Sequence, residues 1–265
     1  MYNLAEDDNC FCMSGKKYKN CCKGGNLIFE ASNGMWLKID NEYYLKNLMK
    51  VSKFKNFYNE AFRKLNRKIY FAIGLDIKSN KSTRVFEYNG EKYYVVLTKT
   101  KQAKKNEMFE VMHEIQHFLC STEGFPTLDY DYSGSTYPAT LINIVADPIV
   151  NKRLIKKKIN MQDYYKLGYD FHYNIINGYK NNGDIEEKLW TIFVTVEKII
   201  DGELVGIQRE NNKIYILVKG KYPELINDIE ELYNYIISTE YDDPKNVENI
   251  YKYIIKKYNL QDKIK

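Results

Sequence analysis

Residues 108–122 read Met-Phe-Glu-Val-Met-His-Glu-Ile-Gln-His-Phe-Leu-Cys-Ser-Thr, and this stretch decides how the rest of the chain is interpreted. Its apolar residues recur at intervals of three and four, which predicts an amphipathic helix with one buried face. The residues of that face are Met108, Val111, Met112, Ile115, Phe118 and Leu119. Asn106 is the expected N-cap, and no glycine or proline interrupts the segment before Gly124.

His113 and His117 are two of the 3 histidines in the chain, and they lie four positions apart. On a helix, residues i and i+4 lie on the same face, so both imidazoles can reach one metal ion. Glu114 follows the first histidine and can face a water bound to that metal. The pattern HExxH therefore predicts a metal site with Glu114 as general base. The alternative is a pair of surface histidines on an amphipathic helix.

This pattern resembles the signature of the zincin metallopeptidases. The resemblance implies an α+β fold in which a small sheet precedes the active-site helix, with an edge strand along the substrate cleft. It also implies a catalytic zinc held by His113 and His117, with water as nucleophile and hydrolysis of a peptide bond as the reaction.

A catalytic zinc typically has three protein ligands, so a third is expected elsewhere in the chain. In the segment Asn143-Ile-Val-Ala-Asp147-Pro-Ile-Val-Asn151, three polar residues fall on one helix face. The segment resembles a group of predicted bacterial metallopeptidases, in which a helix with similar residues follows HExxH, and this resemblance implies that Asp147 is the ligand. Two alternatives remain open: Asp147 as an N-cap before Pro148, and Glu123 as the ligand, at the third-ligand position of the metzincin spacing.

Several other residues are candidates for lesser roles. Cys120 is expected to fill the core, because a single cysteine beside apolar neighbours is usually buried. His172 is expected to be structural, with polarisation of a substrate carbonyl as the alternative. Tyr130, Tyr132 and Tyr137 lie between the two motif segments and are candidates to supply a hydroxyl group.

A second metal site is predicted at the N-terminus. The cysteines Cys10, Cys12, Cys21 and Cys22 form the pattern C-x-C-x8-C-C, which is typical of a structural zinc site. The segment resembles the SEC-C motif, a small zinc knuckle, in its Ser-Gly, its Lys-Tyr-Lys and its final Cys-Cys. Phe11 and Met13 depart from the proline and glycine usual in that family.

The SEC-C resemblance implies that the knuckle recognises a protein partner or the ribosome. The lysines at positions 16, 17, 19 and 23 would give it a basic surface. A folding staple without a partner and a disulfide arrangement are the alternatives. A knuckle of this size is expected to need its zinc in order to fold.

Length and charge limit the classes of protein to consider. The 265 residues fit one substantial domain with an appendage, here residues 1–25 as the knuckle and 26–265 as a zincin-like domain with a helical C-terminal part. The net charge of +5 is spread along the chain, which gives little support to nucleic-acid binding. We expect no membrane span, no secretory signal and a cytoplasmic location.

Further elements are expected from local patterns. Residues 41–66, 137–158, 162–179 and 185–201 have helical spacing, and 69–75 favours a strand. Asn89-Gly90 predicts a hairpin between 85–88 and 91–97, and Asn211-Asn212 a second one between 203–208 and 213–218. Residues 223–239 and 244–258 are expected to form a closing helix pair.

Two functions follow as expectations. The first is a zinc-dependent peptidase with two zinc ions per chain, one catalytic and one structural. The second is a binding or adaptor protein, in which the knuckle captures a partner and the HExxH domain is inactive.

Overall fold

The computed structural model describes residues 6–7, 16–20, 27–31, 34–74, 81–88, 91–126, 137–180 and 183–262. The chain divides into two compact units, Met1–Leu119 and Cys120–Lys265. The first contains a mixed sheet and helices, and the described part of the second is helical, so the expected α+β class is confirmed. Among the described residues, no helix is long and apolar enough to cross a lipid bilayer.

A mixed sheet forms the centre of the first unit. Its strands are β1 (Leu27–Ala31), β2 (Gly34–Ile39), β3 (Ile69–Gly74), β4 (Lys81–Tyr88) and β5 (Glu91–Thr98), in the order β1-β2-β3-β5-β4. The central pair β3 and β5 is parallel, and the other pairs are antiparallel. Strands β4 and β5 form the predicted hairpin, with Tyr88 paired to Glu91. The extended segment expected from residue 69 is confirmed as β3.

The helix expected over residues 41–66 is instead two helices, α1 (Asn41–Leu45) and α2 (Ser52–Leu65). The carbonyl oxygen of Tyr44 accepts a hydrogen bond from the backbone N–H of Ala103, at 3.0 Å. In a continuous helix that carbonyl would accept from the N–H of Leu48. Leu48 is fully buried in the intervening turn, so tertiary packing ends α1 where the sequence pattern continues.

The predicted motif helix is confirmed as α3 (Met108–Thr122). Its expected N-cap, Asn106, is wrong, because Asn106 lies inside a 3-10 turn, Lys105–Glu107, that precedes α3. The N-cap of that turn is Lys104, whose backbone N–H donates to Oε2 of Glu107 at 2.6 Å. The predicted apolar face is buried except for the half-buried Met108, and Val111, Met112 and Ile115 are fully shielded from solvent.

The second unit is built around one buried helix. Its helices are α4 (Tyr137–Lys156), α5 (Gln162–Gly178), α6 (Ile185–Leu204), α7 (Lys213–Lys221), α8 (Ile226–Ser238) and α9 (Pro244–Lys257). Every residue of α6 from Leu189 to Gly202 is buried, and α4, α5, α7 and α8 pack against this helix. The expected helices over 137–158, 162–179 and 185–201 and the closing pair are confirmed to within a few residues.

The second predicted hairpin is wrong. Residues 203 and 204 end α6, and 213–218 belong to α7. Asn212 determines this outcome, because its side-chain oxygen accepts hydrogen bonds from the N–H groups of Ile214 and Tyr215 and so caps a helix. Ile214, Tyr215 and Val218 then bury one helical face. The asparagine pair that indicated a turn is a helix start.

Candidate metal centre

Helix α3 brings the two motif histidines together. Their Nε2 atoms lie 3.1 Å apart, and the ring planes meet at 78°. Ligands of one tetrahedral zinc lie roughly 3.3 Å apart, as zinc–nitrogen bonds of about 2.0–2.1 Å require. His113 is buried, with 2% of its surface exposed, and His117 is partly exposed. The pair therefore has the spacing of two ligands, with one ring in the interior and one reachable from solvent.

Strand β4 fixes the start of the helix that carries this pair. The ammonium group of Lys81 donates to Glu107 Oε1 at 2.6 Å and to Glu110 Oε2 at 2.8 Å. Burial alone would lower the pKa of Lys81, but its interactions with Tyr44 and the two carboxylates outweigh burial and raise it. Burial would likewise raise the pKa of Glu107, but its hydrogen bond with Lys81 lowers it. Both groups are charged, and they tie the sheet to the beginning of α3.

Asp147 lies in the middle of α4, and Pro148 continues the same helix. The alternative of Asp147 as an N-cap is therefore wrong. Together, His113, His117 and Asp147 would supply two ring nitrogens and one carboxylate oxygen. Two imidazoles and one carboxylate are nitrogen and oxygen donors of the kind that zinc and other divalent metals accept. The three residues could hold a metal ion.

Glu123, the rival ligand, has a different partner. Its carboxylate forms an ion pair with the guanidinium of Arg153, which also lies over the ring of Phe125 at 5.0 Å. Glu123 is exposed, and it is absent from the metal-binding group found among the described residues. This ion pair lies one helix turn before the end of α4, and it gives the Glu123 carboxylate a structural role that needs no metal ion.

Other predicted site residues fall into three groups. Glu114 is half-buried on α3, directly after His113. Cys120 is a buried cysteine, as expected for a core residue. The remaining ones lie outside the residues whose side chains the structure describes: Tyr130, Tyr132 and Tyr137, and the cysteines at positions 10, 12, 21 and 22.

The second unit contains a cavity of ≈ 150 Å³ that reaches Asp147. Three charged residues of α6 contribute to its wall, namely Glu197, Lys198 and Asp201, and His172 of α5 lies in the same wall. All three α6 residues are buried. Our sequence interpretation missed them, although a signal was present: three charged residues within the mostly apolar stretch 189–202 indicate a paired internal cluster.

The charges of this cluster are paired. The ammonium group of Lys198 forms ion pairs with Glu197 and, at 3.1 Å, with Asp201 Oδ2. Burial raises the pKa of Glu197, whereas the surrounding carboxylates hold the pKa of Lys198 above its ordinary value despite burial. Lys198 is therefore a fixed positive charge inside the second unit.

His172 is neutral at physiological pH. Burial, and then the positive charge of Lys198, lower its pKa to about 3. Its Nδ1 atom is shielded from solvent and has no hydrogen-bond partner among the described residues. The ring packs on Trp190, with the ring centres 5.8 Å apart. This environment agrees with the expected structural role.

Comparison with known proteins adds no family assignment. No family model, curated protein or solved structure matches the chain. The functional argument therefore depends on the residues and their geometry.

Proposed function

We propose that this chain is a zinc-dependent peptidase with a zincin-like active site. One observation carries the proposal: the Nε2 atoms of His113 and His117 lie 3.1 Å apart on one helix, with a glutamate directly after the first histidine. Asp147 is the proposed third ligand, because its carboxylate completes a set of nitrogen and oxygen donors of the kind that holds a catalytic zinc. A set of three protein ligands is typical of a catalytic zinc site.

Glu114 has the central catalytic role in this proposal. Zinc held by His113, His117 and Asp147 would supply Lewis acidity, which would polarise a substrate carbonyl and lower the pKa of water towards about 7. Glu114 would accept a proton from the attacking water and deliver it to the nitrogen of the leaving amine. The water oxygen forms the new bond to the carbonyl carbon, and the carbon–nitrogen bond breaks.

Metal analysis is the first test of the site. We expect purified wild-type protein to contain zinc, and His117→Ala to lose one zinc per chain. Glu123→Gln is the matched control and should keep the wild-type content, because Glu123 pairs with Arg153. Zinc content unaffected by His117→Ala, or iron in place of zinc, would contradict the proposal.

Hydrolysis is the second test. A mixture of unstructured peptides is incubated with the zinc-loaded protein, and cleavage products are identified by mass spectrometry. Glu114→Gln should retain zinc and lose cleavage, because the amide keeps the shape of the side chain but accepts no proton. Cleavage that survives this substitution would rule out the mechanism.

A second candidate function is partner binding through the N-terminal segment. Lys16, Lys17 and Lys19 are exposed, and Lys19 is paired with Asp7 at 2.6 Å. An exposed basic segment next to a zinc knuckle suits an acidic protein partner or the ribosome. Ribosome cosedimentation of the wild type, lost in Cys21→Ser and weakened by salt, would support it. Absence of cosedimentation at low salt would count against it.

A further inference from the structure

The proposed ligand Asp147 lies in a turn of α4 that lacks one backbone hydrogen bond. Pro148 has no N–H, so the carbonyl of Ile144 loses the donor that every other residue type would give it. The proline ring also crowds that carbonyl. This turn is a weak point in the helix, and contacts with other helices are needed to hold the direction of the Asp147 side chain.

One such contact lies a single turn beyond Asp147. Asn151 is completely buried, and its Nδ2 donates to Oδ1 of Asp201 on α6 at 2.8 Å. The other oxygen of Asp201 accepts from Lys198 at 3.1 Å. Each oxygen of the carboxylate therefore has its own partner, and Asp201 is a fixed acceptor for the Asn151 amide.

A matching contact lies on the other side of Pro148. The hydroxyl of Tyr251, on α9, donates to the backbone carbonyl of Ile142 at 2.9 Å. Tyr251 is buried, with 2% of its surface exposed. Asp147 lies between Ile142 and Asn151 along α4, so hydrogen bonds to two other helices hold α4 before and after the proline.

We propose that Asn151 and Asp201 are positioning residues of the metal site: their hydrogen bond fixes α4 on α6 and so directs the Asp147 carboxylate towards the metal. This inference depends on the proposed function, since it assigns a role relative to the third ligand. Outer residues that orient a ligand typically change metal affinity by about 10- to 100-fold when they are removed. We expect a change in metal affinity near the lower end of this range, because Asn151 acts on Asp147 through the helix that carries both residues.

The test uses the full-length Asn151→Leu variant, which removes the donor while keeping a side chain of similar size and high helix propensity. Zinc affinity is measured by competition with a chelator, and the ligand geometry by the visible absorption bands of the cobalt(II)-loaded protein. We expect about tenfold weaker zinc binding and altered cobalt bands.

Tyr169→Phe is the matched control. It removes one buried hydrogen bond of the second unit, the 2.6 Å contact from the Ile214 N–H to the Tyr169 hydroxyl, which does not involve α4. It should lower the thermal midpoint of unfolding and leave zinc affinity and the cobalt bands unchanged. If Asn151→Leu does not fold, Tyr251→Phe, which deletes a single hydroxyl, should weaken zinc binding in the same direction.

Two outcomes overturn the inference. In the first, the folded Asn151→Leu variant, or Tyr251→Phe in its place, binds zinc and absorbs as the wild type does, while Tyr169→Phe shows the expected loss of stability. The proposed function would then stand without the positioning role. In the second, the wild type binds no zinc that depends on His117, and the proposed function fails together with the inference.

Discussion

The ammonium nitrogen of Lys81 lies 2.8 Å from Oε2 of Glu110, three residues before the first motif histidine. Lys81 is on β4 at the edge of the sheet, and only 2% of its side chain is exposed. A lysine at this position is energetically costly unless it is paired. Its pairing with Glu107 and Glu110 links the sheet to the helix of the proposed active site.

Substitution of Lys81 should therefore destabilise the protein. We expect Lys81→Met to lower the free energy of unfolding by about 2–3 kcal/mol, because it leaves two partly buried carboxylates without their cation. Urea denaturation followed by circular dichroism measures the change. Lys64→Met is the control: it removes an exposed i,i+4 pair with Glu60 and should cost less than about 0.5 kcal/mol. Equal losses would show that the Lys81 contacts are as weak as a surface pair.

The low pKa of His172 predicts a pH dependence of stability. The folded protein lowers this pKa to about 3, from 6.5 in a free side chain, so between these values the unfolded chain binds more protons than the folded one. The contribution of neutral His172 to the free energy of unfolding is fully present above pH 6.5. Below that pH it decreases, by up to about 1.4 kcal/mol per pH unit.

His172→Gln should flatten this dependence, because glutamine does not titrate. Urea denaturation at pH 7, 6 and 5, with a chelator present to exclude effects of metal binding, compares the two proteins. The wild type should lose more stability than the variant as the pH falls. Parallel losses between pH 7 and pH 5 would mean that His172 is accessible to protons in the folded state.

The two candidate third ligands should respond differently to neutralisation. Asp147→Asn should weaken zinc binding at least tenfold, because an amide is a poorer ligand than a carboxylate. Glu123→Gln should leave zinc affinity unchanged and cost no more than about 1 kcal/mol, since it removes a partly exposed ion pair. Chelator competition on both variants decides between them. A larger loss in Glu123→Gln would reverse the assignment.

Asn212 should contribute more to stability than an ordinary helix cap. It caps α7, and its Nδ2 also donates to the backbone carbonyl of Lys198 at 2.9 Å in a buried setting. We expect Asn212→Ala to cost about 2–3 kcal/mol, the sum of a lost cap and a lost buried hydrogen bond to the Lys198 carbonyl. Asp243→Ala, at the exposed N-cap of α9, is the control and should cost about 1 kcal/mol. Similar values would mean that the contact with Lys198 adds nothing.

Local patterns in the sequence correctly predicted the elements whose structure depends on local interactions. The spacing of apolar residues predicted α3, and the Asn89-Gly90 pair predicted the β4–β5 hairpin, because helix faces and tight turns depend on neighbouring residues. The i, i+4 spacing of His113 and His117 likewise predicted their approach on one face. These features needed no information about distant parts of the chain.

Tertiary structure decided the features that depend on distant partners. The Ala103 N–H ends α1 by taking the carbonyl of Tyr44, and Asn212, which also donates to the distant Lys198 carbonyl, starts a helix where its sequence indicated a turn. Asp147 is in mid-helix rather than at a cap, since α4 continues through Pro148. The hydrogen bond between Asn151 of α4 and Asp201 of α6 was likewise invisible in the sequence. A hydrogen bond or ion pair between helices depends on how they pack, and local sequence alone does not determine that packing.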